Sequence, residues 1–213
     1  MPSLHIISGS NGAGKSSVGD SYLPEVIQAS CSIFDGDKLF MEKRQELWDA
    51  GSRANKENKK IAFAHVTQMF EDLVENSINN LEDFVYEGHF TNDETWEVPK
   101  RFRAAGFSIN MIFFGLRDTN LSELRVVNRA NEGGHYVDPA HLAANFYGNL
   151  EKLNINYTIF DSIQIVDTSE PEHKVLCLLE NNNLVSSVNY AELPDWFKNN
   201  LPVLANRIQI AFP

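Results

Sequence analysis

The residues best suited to chemistry form a short glycine-rich stretch close to the N-terminus. It reads Gly9-Ser10-Asn11-Gly12-Ala13-Gly14-Lys15-Ser16, followed by Ser17, and it fits the pattern Gly-x-x-x-x-Gly-Lys-Ser/Thr in full. Such glycines let the main chain approach a ligand with its N–H groups turned inward, which creates a nest for anions. The Lys15 ammonium is expected to reach the β- and γ-phosphates of a nucleotide, and the Ser16 hydroxyl to ligate Mg²⁺. The stretch therefore predicts a P-loop that binds Mg-ATP at residues 9–17.

A carboxylate that could act on the terminal phosphate follows the second predicted strand. Asp37 lies there, and it could accept a proton from an attacking hydroxyl or hold Mg²⁺ through water. Asp35 competes for the same role, and an aspartate in this segment could instead cap a turn. The sequence favours Asp37 as the catalytic carboxylate.

Two arginines on one predicted helix form a further candidate group. Arg125 and Arg129 are four residues apart and therefore share a helix face. Leu121, Leu124 and Val127 share another face and can anchor the helix to the core. An anchored arginine pair near a phosphate loop can stabilise the charge that spreads over a transferring phosphoryl group. The alternative is a solvated basic face.

The elements that would position these residues alternate along most of the chain. Strands are predicted at residues 4–7, 31–34, 84–86, 107–114 and 162–166. Helices are predicted at 15–23, at 38–80 with a break near 51–52, and at 94–105, 120–131 and 139–153. This alternation predicts an α/β fold with five parallel strands and helices on both faces. Beyond residue 173, a hairpin of 175–179 with 184–188 and a terminal helix at 194–206 form an extension.

Missing motifs narrow the class of P-loop protein. The chain has no Asn-Lys-x-Asp guanine reader, which switch GTPases need, and no Leu-Ser-Gly-Gly-Gln-like signature, which transport ATPases need. Phe84-Val85-Tyr86-Glu87 resembles the hydrophobic strand and acidic pair of the transport ATPases only in part. A kinase is the class that remains.

Composition restricts the partners and the compartment. The chain has 213 residues and a formal charge of −11, which repels polyanions and argues against nucleic acid as a partner. Its 2 cysteines, far apart in the sequence, are expected to be free thiols in a reducing compartment. The N-terminus has no signal-peptide pattern, and the apolar run at 111–114 is too short to span a bilayer. A soluble cytoplasmic protein without membrane contact is therefore expected.

The segment from Arg125 to Val137, which reads Arg-Val-Val-Asn-Arg-Ala-Asn-Glu-Gly-Gly-His-Tyr-Val, resembles the zeta-toxin-like P-loop kinases. Many bacterial proteins labelled as predicted ABC-type ATPases belong to that group. The resemblance extends over residues 3–168 and includes the phosphate loop, Asp37 and Glu87. It implies an adenylate-kinase-like P-loop NTPase fold with ATP and Mg²⁺ as cofactors. It also implies that Asp37 is the base, that Lys15, Arg125 and Arg129 clamp charge, and that Glu87 contacts the substrate.

The zeta toxins phosphorylate a hydroxyl of UDP-N-acetylglucosamine, so a nucleotide sugar is one acceptor that the resemblance implies. Two departures from the family pattern affect the acceptor site. Glu87 is followed by Gly88-His89 instead of two threonines, and residues 145–150 read Asn-Phe-Tyr-Gly-Asn-Leu where relatives often carry Arg-Tyr-x-Arg. A diphosphate-bearing acceptor would lose two positive partners there. His89 and His135 are further candidates to line the acceptor pocket.

Three functions stay open at this point. The first is a kinase that phosphorylates a small-molecule hydroxyl, the second a polynucleotide kinase on the same scaffold, and the third a non-catalytic ATP-binding module. We expect a kinase-like domain at residues 1–172, with a helical lid around 119–155, and an extension at 173–213 packed on the same domain. An antitoxin-like protein is a further candidate partner.

Overall fold

The computed structural model describes residues 1–131 and 136–213, in which the predicted strands form one mixed sheet. The strands are β1 Ser3–Gly9, β2 Ile33–Asp35, β3 Phe84–Gly88, β4 Ser108–Gly115, β5 Ser162–Asp167, β6 Lys174–Glu180 and β7 Asn183–Ser187. Their spatial order in this part of the chain is β2-β3-β1-β4-β5-β6-β7. Strands β1 to β5 pair in parallel, whereas β6 and β7 pair antiparallel. The predicted α/β fold with five parallel strands and a C-terminal hairpin is therefore confirmed.

Helices connect and cover these strands. They are α1 Lys15–Val18, α2 Glu25–Ser30, α3 Gly36–Asp49, α4 Asn55–Asn80, α5 Glu97–Ala104, α6 Thr119–Asn131, α7 Pro139–Asn156, α8 Asp195–Asn200 and α9 Pro202–Ala211. Short 3-10 segments follow α1 and α7 and precede α5 and α8. Among the residues described, no helix combines the length and the apolar composition that crossing a membrane requires.

The centre of the sheet determines where a ligand can bind. Strand β1 lies between β3 and β4, and the register pairs Ser8 with Gly88 and Gly9 with Phe114. The chain leaves β1 on one side to reach β2 and β3 and returns to the other side to form β4 and β5. Ligands of open parallel sheets bind at the carboxyl ends of the strands, where the strand order reverses in this way. The end of β1 is that point, and the glycine-rich stretch begins there.

Some predicted boundaries differ from the observed ones. The predicted helix at 15–23 is a four-residue α-helix that continues as a 3-10 turn to Tyr22. The turn considered for the segment of Asp35 and Asp37 is a helix start, because Gly36 already begins α3. The Asp35 carboxylate caps that helix by accepting from Lys38 N at 3.0 Å. The predicted terminal helix is divided at Leu201, because Pro202 cannot continue α8 and instead begins α9.

The C-terminal hairpin continues the sheet past β5. Its turn places Asn181 and Asn182 at φ values of +48° and +62°, a left-handed conformation that asparagine tolerates better than most residues. In α8, the Trp196 and Phe197 side chains are buried, and the Trp196 ring packs against Gly115 of β4, where a Cβ would lie 2.1 Å from the ring. Because the sheet runs without interruption from β5 to β6, the division of the chain at residue 172 stays a prediction.

Candidate functional site

The glycine-rich stretch forms a loop between β1 and α1, and its glycines are required by the space around it. Gly9 has a φ of +138°, and a Cβ on it would lie 2.1 Å from the Phe114 carbonyl oxygen. Gly12 has a φ of +72°, and a Cβ on it would lie 3.0 Å from Arg125 Cβ. Larger residues would therefore be strained at both positions and would also push β4 or α6 away from the loop.

Two neighbouring side chains hold the main chain of the loop in place. Ser122 of α6 donates its hydroxyl to the Asn11 carbonyl oxygen at 2.6 Å. The Thr168 hydroxyl, just after β5, donates to the Ala13 carbonyl oxygen at 3.0 Å. Because these bonds take up carbonyl oxygens, they help to fix the loop in a conformation in which its N–H groups can face a bound anion.

Lys15 and Ser16 are both tied to the same carboxylate. The Lys15 side chain is buried, and its Nζ donates to the carbonyl oxygens of Gly9 at 3.1 Å and Ser10 at 3.0 Å. The same Nζ lies 3.7 Å from Glu87 Oε1, and Ser16 Oγ donates to Glu87 Oε2 at 2.7 Å. Glu87 stands at the end of β3, directly beside β1. It therefore contacts the phosphate loop itself, and it also lines the neighbouring cavity described below.

Burial acts on the charges of this pair in opposite directions. Desolvation lowers the pKa of Lys15, while the Glu87, Asp37 and Asp35 carboxylates oppose that shift. Desolvation also raises the pKa of Glu87, while Lys15 and the hydrogen bond from Ser16 oppose it. Both directions follow from the cost of removing a charge from water. Burial therefore disfavours the charged forms of Lys15 and Glu87, and the attraction between the two side chains offsets part of that cost.

The charged residues predicted from the sequence line one cavity over the phosphate loop, with a volume of about 660 Å³. Asp37, Arg125 and Arg129 all contribute to its wall, together with Lys15 and Ser16. The other lining residues are Asn11, Gly12, Gly14, Ser17, Asp35, Lys38, Met41, Glu42, Glu87 and Asn128. The fold thus brings together the predicted base, the predicted clamps and the phosphate loop around one space.

The two aspartates after β2 have different positions. Asp35 uses its carboxylate as the N-cap of α3, so the capping role considered for this segment belongs to Asp35. Asp37 lies in the first turn of α3 and is exposed to solvent at the cavity. On α6, Arg125 donates to the carbonyl oxygens of Gly12 at 3.3 Å and Ser169 at 3.1 Å, which anchors its guanidinium beside the loop.

A second cavity of about 480 Å³ adjoins the first. The two cavities share Lys15, Asp35, Asp37 and Glu87. The remaining lining residues are mostly apolar and aromatic, and they comprise Phe34, Gly36, Phe40, Phe63, Val66, Thr67, Phe70, Tyr86, Gly88, His89, Phe90, Thr95 and Val98. The site is therefore a polar chamber at the phosphate loop that opens onto an aromatic chamber between β3, α3 and α4.

A network of amide side chains supports the loop from α7. Asn149 is 1% exposed, and its Oδ1 accepts from Phe90 N at 2.5 Å, while its Nδ2 donates to the Gly9 carbonyl oxygen at 3.4 Å. Asn149 Nδ2 also lies 3.0 Å from His89 Nδ1, and Asn145 Nδ2 donates to Asn11 Oδ1 at 2.8 Å. Burial and the nearby Lys15 charge hold the pKa of His89 well below its ordinary value, so the ring is neutral.

Sequence reasoning missed several of these supporting residues. From the sequence, residues 145–150 were considered only for the arginines that they lack, and no role was assigned to Ser122 or Thr168. One usable signal was the spacing of Asn145 and Asn149, which places two amides on one face of a largely apolar helix. His135, a predicted pocket residue, lies outside the described residues.

Comparison with known proteins adds the relationship to a family. The sequence profile of the zeta toxin family matches residues 1–182. A solved structure of the PezAT chromosomal toxin–antitoxin system of Streptococcus pneumoniae is similar with a TM-score of 0.59 and 18% identity, over 100% of this chain and 87% of that one. No curated protein matches the sequence.

A second similar structure is the complex of AvrRxo1-ORF1 with ORF2 and ATP, with a TM-score of 0.70 and 11% identity. The match covers 94% of this chain and 64% of that one, so this chain spans less than two thirds of its length. At such identities these likenesses establish the fold. The phosphate loop, the strand order and the profile match over residues 1–182 together lead to one relationship: this chain belongs to the zeta toxin family.

Proposed function

We propose that this protein is an ATP-dependent kinase that moves the γ-phosphoryl group of ATP to a hydroxyl of a small molecule. One observation carries the proposal: Asp37 lies on the wall shared by the polar and the aromatic cavity. A carboxylate in that position can take the proton of a hydroxyl that approaches from the aromatic side while a phosphate chain occupies the polar side. Membership of the zeta toxin family supports the same conclusion.

The polar cavity suits the triphosphate. Inward-facing N–H groups of the loop and the start of α1 attract negative charge. Ser10 Oγ is buried, and within the described residues it has no hydrogen-bond partner, which suits a group that awaits a ligand. Lys15 bonds to the carbonyl oxygens of Gly9 and Ser10 in this structure, and it would exchange these bonds for phosphate oxygens when ATP binds.

The donors next to the loop also fit Mg²⁺. Ser16 Oγ and Glu87 Oε2 lie 2.7 Å apart, and oxygen atoms of hydroxyl and carboxylate groups are ligands that Mg²⁺ prefers. Ser16 would bind the ion directly, and Glu87 would orient Ser16 and the ion's water ligands. When bound, Mg²⁺ neutralises charge on the phosphate oxygens.

In the transfer step, the acceptor oxygen attacks the γ-phosphorus as its proton passes to the Asp37 carboxylate. The bond between the γ-phosphorus and the bridging oxygen breaks, and ADP leaves with that bond's electron pair. Lys15, Arg125 and Arg129 would stabilise the negative charge that spreads over the phosphoryl oxygens. Arg125 suits this role because its bonds to Gly12 and Ser169 fix the guanidinium before the reaction begins.

The neighbouring aspartates provide a test with an internal control. Asp37→Asn removes the base and should lower the turnover of phosphoryl transfer by about 10²- to 10⁴-fold, with little change in the affinity for Mg-ATP. Asp35→Asn should retain most of the activity, because asparagine caps a helix as well as aspartate does. Product formation is followed by mass spectrometry of metabolite extracts incubated with the enzyme and ATP. Equal activity of wild type and Asp37→Asn would refute the assignment of the base.

Nucleotide binding is tested separately. Lys15→Ala should weaken the binding of Mg-ATP strongly in isothermal titration calorimetry, because a buried ammonium contact to the phosphates is lost. If the variant bound Mg-ATP as tightly as the wild type, the phosphate loop would not be the nucleotide site and the proposed function would fall.

A protein partner forms a second part of the proposal. PezAT is a toxin–antitoxin system, and the structure of AvrRxo1-ORF1 contains ORF2 as a bound partner. By this relationship we expect an antitoxin-like protein to bind this chain and to restrain its activity. The cytoplasmic location expected from the sequence stays a prediction.

A further inference from the structure

The aromatic cavity indicates what kind of acceptor this enzyme uses. We propose that the acceptor is a small uncharged alcohol with an apolar body, which occupies this cavity and presents its hydroxyl to Asp37. The inference rests on the proposed kinase function, since it identifies the substrate class of the same site. It departs from the diphosphate-bearing nucleotide sugar that the zeta toxins phosphorylate.

The walls of the cavity are apolar over most of their extent. Six aromatic side chains line it, contributed by β2, α3, α4, β3 and the residues that follow β3, namely Phe34, Phe40, Phe63, Phe70, Tyr86 and Phe90. Val66 of α4 and Val98 of α5 complete the apolar surface. At about 480 Å³, the cavity has the size of a typical small-molecule site. An occupant gains affinity there mainly by removing apolar surface from water.

The charges in the cavity do not suit an anionic acceptor. Among the described lining residues, Lys15 is the single lysine or arginine, and it is already tied to Glu87 and to the phosphate loop. Burial lowers the pKa of His89, so that ring supplies no positive charge. A diphosphate would therefore meet carboxylates without the arginine or lysine partners that phosphate recognition requires.

The arginine of α3, Arg44, uses its terminal nitrogens outside the cavity. The Arg44 guanidinium lies 5.6 Å from the centre of the Phe40 ring, but it donates to Asn55 Oδ1 at 3.0 Å and does not line the cavity. On α7, the stretch at 145–150, where relatives often carry two arginines, has none in this chain. Asn145 Nδ2 donates to Asn11 Oδ1 of the loop, and Asn149 Nδ2 donates to the Asn145 carbonyl oxygen. The chain thus uses neutral residues for support where charged ones would bind phosphate.

A positively charged acceptor is disfavoured because the carboxylates of the cavity already have other partners or roles. Glu87 contacts Lys15 and Ser16, and Asp35 caps α3. Asp37 would be needed as the base, so it cannot serve as a permanent counter-ion for an ammonium group. The aromatic walls therefore select for apolar bulk, and the single hydroxyl is placed by the carboxylate that deprotonates it.

A homologous series of straight-chain primary alcohols gives the sharpest test. With saturating Mg-ATP, the apparent KM should fall by about fourfold for each added methylene until the cavity is filled, which corresponds to about 0.8 kcal/mol per methylene. Choline and UDP-N-acetylglucosamine serve as cationic and diphosphate probes, and both should be poorer acceptors than an alcohol with an apolar body. Binding of the same probes, measured by NMR with a non-hydrolysable ATP analogue and Mg²⁺, provides a readout that does not need turnover.

Two exposed residues of α4 supply a matched pair of variants. Phe63 is 67% exposed and lines the cavity, whereas Ile61 is 42% exposed and does not line it. Phe63→Arg should lower the affinity for the longer alcohols by about tenfold, which is the loss expected for one apolar contact. Ile61→Arg should leave that affinity unchanged. Both variants should bind Mg-ATP normally.

Several outcomes would overturn the inference. They are a KM independent of alcohol length, a preference for the diphosphate or cationic probe, no alcohol binding, and equal effects of the Phe63 and Ile61 variants. Each of these results would refute the proposed alcohol acceptor. The kinase function would still be supported if ATP binding depended on Lys15 and if transfer to another acceptor depended on Asp37. Loss of both of those dependences would refute the kinase function itself.

Discussion

Asn149 offers a quantitative test of how the site is supported. Asn149→Ala removes the acceptor of Phe90 N and the donor to the Gly9 carbonyl oxygen. The Gly9 oxygen keeps a partner in Lys15, so the main losses are at the buried Phe90 N–H and at His89 Nδ1, which lies 3.0 Å from Asn149 Nδ2. One such group costs about 1–3 kcal/mol, and the space left by the amide adds to that cost. We therefore expect the free energy of unfolding to fall by about 3 kcal/mol.

Urea denaturation followed by tryptophan fluorescence measures this loss, and two further variants separate its causes. Asn149→Leu fills the space but still leaves the Phe90 N–H unpaired, so it should cost about 1–3 kcal/mol. Asn156→Ala is the matched control on the same helix, because within the described residues its side chain donates only to the Lys152 carbonyl oxygen. If Asn149→Ala cost no more than this control, the amide network would not stabilise the loop and the reasoning would be refuted.

Three other predictions concern packing and titration. Gly115→Ala should destabilise the fold by about 1–3 kcal/mol and change the fluorescence of Trp196, since a Cβ would lie 2.1 Å from that ring; an unchanged melting temperature would contradict this. Because the pKa of His89 is lowered in the folded state, unfolding takes up a proton below about pH 6.5. The free energy of unfolding should therefore fall toward acid pH by up to about 1.4 kcal/mol per pH unit. His89→Gln should flatten that dependence in urea denaturation series from pH 8 to about pH 5.5. Burial raises the pKa of Cys177 to about 12, so iodoacetamide at pH 8 should alkylate Cys31 in the native protein and Cys177 only after unfolding, as read by mass spectrometry.

The sheet was predictable because its signals are local and strong. Residues 107–114 are almost continuously apolar, which is typical of a strand covered on both faces, and they form the buried strand β4. The hairpin turn at Asn181-Asn182 was equally readable, since asparagine tolerates the left-handed conformation found there. The rule that parallel connections cross over in one hand limits the possible strand orders, but it does not select the observed order, which was not predicted.

Details of the site depended on contacts between distant parts of the chain. Asp35 rather than Asp37 caps α3 because the helix begins at Gly36. The sequence cannot assign a helix start to within a residue or two, since such shifts change the free energy little. The bonds from Glu87 to Lys15 and Ser16 join residues 71 or more positions apart, so spacing alone could not assign them. The aromatic cavity likewise collects phenylalanines from several elements, each of which reads as ordinary core in its own segment.

The antiparallel hairpin has a consequence for the order in which the molecule assembles during synthesis. Strand β5 pairs with β4 on one side and with β6 on the other, and β6 emerges from the ribosome after every residue of the two cavities. Until β6 arrives, the outer edge of β5 exposes unpaired N–H and C=O groups that another nascent chain could bind. The last strands therefore act as a cover for that edge, and a pause in translation before residue 174 would favour aggregation over a finished enzyme.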